Sequence, residues 1–356
     1  MRTFLRRLGA FLLFLLVALC FAPTLVPPFL DRVYYQGPVS DHFDGEHFFN
    51  PDRPAPERID PRRFLNRWAN GERAAWPDSV PVHQTAPPAR VAGSDMLVTW
   101  IGHSTVLVQT QGLNILTDPI WSERASPFSF LGPRRVRAPG VRFEDLPRID
   151  LVLISHNHYD HMDLPTLRRL WERDRPMIVT SLGNDTILRG EGIEAVARDW
   201  GRSVAIRPGI DVIVERNHHW GSRWGTDRNR ALWSAFTVRT PSGNVFFAGD
   251  TGWGGGDWAR AVAGHGPFRL AILPIGAYLP RDVMQENHVD PEESVRIFQL
   301  LNPVRALGVH WGTFQLTFEA IDDPPRRLAA ELRSRAIAPD RFVATEAGAT
   351  FRVPER

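Results

Sequence analysis

The chain has 356 residues, 43% hydrophobic and 23% charged, which is enough for two ordinary domains or one large one and too apolar for wholesale disorder. All 42 basic residues are Arg, which excludes Schiff-base chemistry and a Lys nucleophile; the single Cys20 excludes an internal disulfide framework and a Cys-ligated zinc ribbon. A net charge of +2 gives no electrostatic reason to expect nucleic acid as a partner.

Arg2, Arg6 and Arg7 precede an uncharged run from Leu8 to Leu30 with its apolar heart at Leu8–Ala22. Residues 1–30 are therefore expected to be a membrane segment, either a retained anchor or a cleaved signal, with its helix ending near Ala22 ahead of Pro23, Pro27 and Pro28. Ala18-Leu19-Cys20 is a poor cleavage site, and Leu19 stands where a lipoprotein box needs a small residue. With the arginines before the run and Asp31, Asp41, Asp44 and Glu46 after it, the body is expected on the periplasmic or outer side of the inner membrane. Residues 31–94, rich in Pro, Asp and Arg, are expected to form an extended arm, with one short helix within Phe64–Trp76.

From residue 95 to 356 the pattern is that of one catalytic domain. Strands are predicted at Met96–Ile101, Thr105–Gln109, Asn114–Thr117, Leu151–Ile154, Met177–Thr180, Val204–Ile206, Val212–Glu215, Ala235–Val238, Val245–Ala248, Leu270–Pro274 and Val304–Val309. Leu151–Ile154 is apolar throughout, as in a strand buried on both faces. Helices are predicted at Leu164–Glu172 with Asp163 as its cap, from Asp290-Pro291-Glu292-Glu293 to about Leu301, and at Pro325–Arg333. This order suggests two sheets with helices outside, a layered α/β domain.

The chemistry-bearing signal follows the Leu151–Ile154 strand. In Ser155-His156-Asn157-His158-Tyr159-Asp160-His161, four N/O ligands fall within six residues. In a loop leaving a strand, His156 and His158 can face one metal while Asp160 and His161 face a neighbour; this donor set suits zinc, with iron or manganese as alternatives. A merely His-rich polar loop is the bland alternative, but ligand residues recur after later apolar strands. His218 and His219 follow Val212–Glu215, Asp250 follows Val245–Ala248, and His310 follows Val304–Val309. From spacing alone His218 and His219 are equivalent candidates.

His156-x-His158-x-Asp160-His161, followed by a His, Gly249-Asp250 and His310, resembles the metallo-β-lactamase superfamily over roughly residues 95–350. The resemblance implies a four-layer αββα sandwich with a two-metal site between its sheets. A narrower likeness runs through Thr99-Trp100-Ile101-Gly102-His103-Ser104-Thr105, Leu116-Thr117-Asp118-Pro119-Ile120-Trp121, Gly132-Pro133-Arg134-Arg135, Phe247-Ala248-Gly249-Asp250-Thr251-Gly252, His288-Val289-Asp290-Pro291 and His310-Trp311-Gly312-Thr313-Phe314. These runs look like the N-acyl-phosphatidylethanolamine-hydrolysing phospholipase D family and its bacterial relatives.

That likeness implies one zinc on His156, His158 and His219, a second on Asp160, His161 and His310, and Asp250 bridging both. The family's metal His precedes a Trp, which selects His219 over His218. Asp118 matches an acid that supports the metal loop from behind. Tyr159 and His288 match positions that approach substrate, and Asn287 stands where the animal enzymes would have Gln. The implied reaction is attack of a metal-shared hydroxide on a phospholipid phosphodiester, with Asp160 or Asp250 taking its proton, giving phosphatidic acid and an N-acylethanolamine. A homodimer is expected by analogy only. Opening a lactone or β-lactam on the same site is the alternative chemistry. A non-catalytic membrane-tethered binding module is a third reading, opposed by the complete ligand set.

Other features have humbler readings. Arg134, Arg135, Arg137 and Arg142 form a basic loop that suits lipid phosphate or simple solvation. Phe128, Phe130 and Leu131 beside it suit insertion into lipid or packing. His103 is expected to make a structural hydrogen bond, and His42, His47, His83 and His265 to lie at the surface. Gly254-Gly255-Gly256 is a flexible loop with no nucleotide fingerprint, and Trp220, Trp224 and Trp253 are expected to pack as wall or core rather than to stack on substrate.

Overall fold

A computed structural model describes residues 2–25, 32–52, 66–67 and 69–355. The catalytic part holds two seven-stranded sheets. The first is built from β1 (Met96–Gly102), β2 (Thr105–Thr110), β3 (Leu113–Thr117), β4 (Leu151–Ile154), β5 (Met177–Ser181), β6 (Val196–Arg198) and the chain-terminal β14 (Thr350–Arg352), in the order β14-β1-β2-β3-β4-β5-β6. The second comprises β7 (Ser203–Arg207), β8 (Ile210–Glu215), β9 (Ala235–Arg239), β10 (Asn244–Phe247), β11 (Phe268–Pro274), β12 (Arg305–Val309) and β13 (Phe342–Val343), in the mirror order β13-β12-β11-β10-β9-β8-β7. Each sheet is mixed, antiparallel on one side and parallel on the other.

The alternation of side chains along β4 shows how the layers form. Leu151 and Leu153 enter the core between the sheets, while Val152 and Ile154 face Leu167 and Leu170 of α2 (Leu164–Asp174). A strand covered on both faces has no polar side to show, hence its continuous apolar run. The second sheet is covered likewise by α4 (Asp257–Ala263), α6 (Pro291–Leu301) and α7 (Asp323–Ser334), through Trp258, Val295, Ile297, Leu328 and Leu332. Short helices α3 (Asn184–Arg189) and α5 (Arg281–Met284) complete the αββα arrangement. Each such buried aliphatic side chain contributes about 1.5–3 kcal/mol.

Several expectations are corrected. Asp163 makes no side-chain cap to α2; its carboxylate instead accepts from the backbone N–H groups of Trp121 and Ser122 and from the Ser122 and Thr166 hydroxyls. It serves the neighbouring loop, where three more donors need an acceptor. Asp290, by contrast, closes a reciprocal capping box with Glu293 on α6. Strands β6, β13 and β14 and helices α3, α4 and α5 lie outside the predicted elements.

Helix α1 spans Arg2–Leu25, three residues past the expected stop. Pro23 forfeits the one hydrogen bond that its own N–H would make, but its φ is compatible with a helix, so the last turn continues. Phe4, Phe11, Leu12, Leu13, Phe14 and Leu16 are exposed. Among the described residues no helix is long and apolar enough to cross a membrane. Of the helix expected within Phe64–Trp76, residues 64, 65 and 68 lie outside the described residues; Asn66, Arg67 and Ala69 are helical, with the Asn70 N–H donating to the Asn66 carbonyl at 3.0 Å, and the chain leaves the helix at Asn70.

Residues 32–52 of the arm pack on the second sheet's flank. Phe43 and Phe48 form a small core with Leu232 and Trp233, and the Tyr34 hydroxyl donates to Asp227 at 2.8 Å. His42, expected at the surface, is 7% exposed. Its ring stacks on Trp200 and bonds Asp199 and Asp41 at 2.8 and 2.6 Å.

Candidate metal centre

Strand polarity puts the candidate ligands together. β1, β3, β4 and β5 run the same way in the first sheet, as do β8, β10, β11 and β12 in the second. The C-terminal ends of β1, β3, β4, β8, β10 and β12 carry His103, Asp118, His156–His161, His218-His219, Asp250 and His310 respectively. The close approach of the two sheets here needs Gly249, whose φ is +59° and whose Cβ would lie 2.6 Å from that of Ser155.

His156 Nε2, His158 Nδ1 and His219 Nε2 converge, the first two 2.8 Å apart and the last two 3.3 Å. Beside them, Asp250 Oδ2 lies 3.1 Å from His161 Nε2, 3.0 Å from His310 Nε2 and 3.9 Å from His219 Nε2. Asp160 Oδ2 lies 3.3 and 3.4 Å from the same two nitrogens of His161 and His310. Asp250 thus stands between a three-histidine group and an Asp/His group.

Hydrogen bonds behind the ring decide which nitrogen faces inward. Asp118 Oδ2 accepts from His161 Nδ1 at 2.6 Å, and the Asn287 carbonyl from His219 Nδ1 at 3.0 Å, so Nε2 of each ring looks into the centre. Asp118 also accepts from the Ser155 amide and hydroxyl, at 2.8 and 2.6 Å. Because the carbonyl of Asn287 does this work, His219 is held whatever side chain stands at 287.

The charges balance pairwise. Burial would raise the Asp250 and Asp160 carboxyls, but His161 and His310, together with His103 in the case of Asp160, hold both well below the usual carboxylate range. Burial would lower His310, but Asp250 and Asp160 push it up to about 9. Burial holds His158 at about 3 and His288 at about 4, hence neutral. His156 and His219 are likewise pushed well down, first by burial. A neutral imidazole is the form that has a lone pair for a metal.

The donor set fits divalent metal ions. His158 Nε2, His161 Nε2, both His310 ring nitrogens, Asp250 Oδ1 and His288 Nδ1 are buried without a hydrogen-bond partner. So many buried polar atoms without a partner in one place would be costly in a purely structural cluster.

His288 lies beside this group, its Nδ1 3.9 Å from Asp250 Oδ2 and its ring 5.1 and 5.4 Å from those of His219 and His310. The Tyr159 ring lies against the Arg223 guanidinium, which is 4.0 Å from the ring centroid. Trp220 packs edge-on against His158 at 4.3 Å, as a wall would, whereas Trp224 is 44% exposed. His218 points elsewhere, its Nε2 3.0 Å from Asp52. Gly254 passes so close to that ring that a Cβ would overlap it, so the triglycine there is a fitted turn rather than a free loop.

His103 makes the hydrogen bond expected of it, its Nε2 bonding Asp160 Oδ2 at 2.8 Å; its place among the candidate donors with Asp160, His161 and His310 was not foreseen. Its position just after a strand of the same polarity is the signal that could have found it. Asn50 of the arm donates to the His219 carbonyl at 3.1 Å, and nothing local in the sequence points to that contact. Arg135 and Arg137, read as lipid or solvent contacts, are buried. Arg135 donates to the carbonyls of Ser122 and Ile120 and stacks on Phe314; Arg137 donates to the Gly312 carbonyl and pairs with Glu346. Both brace the loop that carries His310. Arg142 pairs with Asp145 at the surface, and His265 pairs with Glu215.

The fold and the centre together define a metal-dependent hydrolase, and the chain belongs to the metallo-β-lactamase superfamily. The family described as Beta-lactamase superfamily domain matches residues 113–311. The chain is 34% identical over 291 residues to "N-acyl-phosphatidylethanolamine-hydrolyzing phospholipase D 1" of Caenorhabditis elegans, covering 78% of this chain and 82% of the nematode protein, which puts it in that phospholipase D-like branch. It is 32% identical over 237 residues to the mitochondrial "N-acyl-phosphatidylethanolamine-hydrolyzing phospholipase D" of Saccharomyces cerevisiae, covering 65% of this chain and half of the yeast protein's length. Among solved structures, Igni18, a metallo hydrolase of Ignicoccus hospitalis, superposes with a TM-score of 0.56 at 20% identity, over 74% of this chain and all of that one, a likeness of fold.

Proposed function

We propose that the chain is a zinc phosphodiesterase of phospholipase D type that cleaves N-acyl-phosphatidylethanolamine to N-acylethanolamine and phosphatidic acid. The observation that carries this reading is the complete set of seven His and Asp side chains, gathered with orphaned donor atoms, in a chain 34% identical to the nematode phospholipase D. His156, His158 and His219 would hold one zinc, Asp160, His161 and His310 the second, and Asp250 both. Two bound divalent ions supply Lewis acidity and a water acidified to a pKa of about 7.

The chain's own groups supply the rest. Asp118 and the Asn287 carbonyl keep the ring nitrogens of His161 and His219 turned inward. Asp160 and Asp250, held ionised by their neighbours, can accept the proton of the attacking water. His288, neutral and beside Asp250, can donate to a phosphate oxygen. Burial pushes the Tyr159 phenol up, so it stays a donor at neutral pH and can orient the headgroup.

The proposal includes contact with a membrane through the N-terminal segment, supported by the exposed Phe and Leu side chains of α1, with the catalytic domain on the periplasmic or outer side as the arginine pattern suggests. Division at residues 30 and 94 and assembly as a homodimer belong to the same proposal.

The test is metal analysis of the full chain together with an assay on N-acyl-phosphatidylethanolamine in mixed micelles. About two zincs per chain with phosphatidic acid released is the expected result. Two metals without lipid cleavage, and turnover of a lactone or β-lactam instead, would overturn the substrate assignment.

A further inference from the structure

The loop between β3 and β4 leaves the first sheet at the same edge as Asp118, and between Arg124 and Phe143 it contains five Arg and no acid. Its tip is apolar and in water. Phe128, Phe130 and Leu131 are 45%, 76% and 60% exposed, and the two phenyl rings rest on each other with centroids 5.6 Å apart.

The tip is preformed. Arg124 and Arg134 pair as an antiparallel bridge, the Ala125 N–H donates to the Pro133 carbonyl at 3.1 Å, and the Arg124 guanidinium donates to the Gly132 carbonyl at 2.6 Å. Gly132, at φ +100°, passes so close to Ser126 that a Cβ would collide with it. The base is tied to the catalytic edge. Arg135 forms a bridge with Phe314, and the Val136 N–H donates to the Thr313 carbonyl at 2.9 Å, three residues past His310.

We infer that residues 125–134 are a prong that inserts into the surface of an anionic lipid bilayer. Three neighbouring apolar side chains held out in water cost free energy unless something covers them. The charge pattern names the cover. Arg134 is exposed at the foot of the prong and Arg124 stands beside it, with the exposed Glu123 next to Arg124, so the arginines meet an anionic headgroup layer while the acyl region beneath it takes the apolar tip, an arrangement that a cationic surface would repel. Because the prong is hydrogen-bonded to the His310 loop, insertion brings the metal edge against the headgroups. The inference deepens the lipid-substrate reading and rests on it for its purpose.

The experiment uses the full chain carrying C20S and F130C, with an environment-sensitive NBD fluorophore on the new thiol, mixed with phosphatidylglycerol–phosphatidylcholine vesicles. The label should shift to the blue and be quenched by brominated acyl chains, while the same label at Met177, exposed on β5, should stay in water. R134E should weaken the change, and F130S in unlabelled protein should weaken partitioning onto vesicles by about tenfold. A label at 130 that remains aqueous on vesicle-bound protein overturns the inference, since α1 alone would then carry binding. Failure to bind vesicles at all also overturns it. A blue shift that depends on protein concentration without lipid replaces the bilayer by a second copy of the chain. Insertion without release of phosphatidic acid keeps the prong and refutes the substrate.

Discussion

Replacing Asp118 by Asn tests the orientation of the metal centre without touching any of the seven proposed ligands. The carboxylate accepts three hydrogen bonds, from the Ser155 amide at 2.8 Å, the Ser155 hydroxyl at 2.6 Å and His161 Nδ1 at 2.6 Å. Asn keeps one acceptor oxygen and presents an NH2. The Ser155 hydroxyl can rotate and accept from it, but His161 Nδ1–H cannot, because both groups are donors. The clash is relieved when His161 changes tautomer, putting its proton on Nε2, the atom that faces Asp250 and Asp160. That nitrogen then has no lone pair for a metal. The affinity of the Asp160/His161/His310 group should fall about 10–100-fold, or about 1.4–2.7 kcal/mol. The metal-free protein should lose about 1–3 kcal/mol if the displaced donor stays unpaired instead. Metal content per chain, competition with a fluorescent chelator and unfolding midpoints with and without metal measure both effects. S155A, which removes only the hydroxyl bond, should change affinity far less. Unchanged occupancy and affinity in D118N would refute the tautomer argument.

D250N removes the charge that stands between the two ligand groups, so turnover should fall by orders of magnitude while far-UV circular dichroism stays native; near-normal turnover sinks the bridging role. H219A should lower metal content, whereas H218A should leave it intact because that ring faces Asp52, and the reverse pattern would exchange the two. Burial alone would lower the His42 pKa, but hydrogen bonds and charge from Asp199 and Asp41 outweigh it and raise it. A raised folded value stabilises the docked arm fully below the unfolded pKa of about 6.5, and this contribution is lost as pH rises through the folded value. Amide exchange of residues 32–52 should therefore be faster, relative to intrinsic rates, above that window, and H42Q should abolish the difference. A pH-independent profile in the wild-type chain would refute it.

What the sequence by itself determined is what local pattern encodes. Apolar runs such as Leu151–Ile154 and Leu270–Pro274 mark strands because a strand covered on both faces leaves no polar side. The Asp290-Pro291-Glu292-Glu293 start marks a helix because its cap lies within four residues. His156, His158, Asp160 and His161 are legible together because one loop carries all four. Strands β6, β13 and β14, two or three residues each, exist only because a neighbour offers its free edge, so no period announces them. His218 and His219 are indistinguishable until the arm supplies Asp52 for one and the three-histidine group receives the other. Asp163 has helix-cap chemistry, but the loop at Trp121 competes for its oxygens and prevails. Arg135 and Arg137 look like surface cations, yet they are buried because backbone carbonyls of other loops satisfy their donors. His103 reaches Asp160 across 57 residues of chain. In each of these cases the deciding partner is distant in sequence, and a hydrogen bond or a buried charge is assigned only when the fold brings that partner within reach.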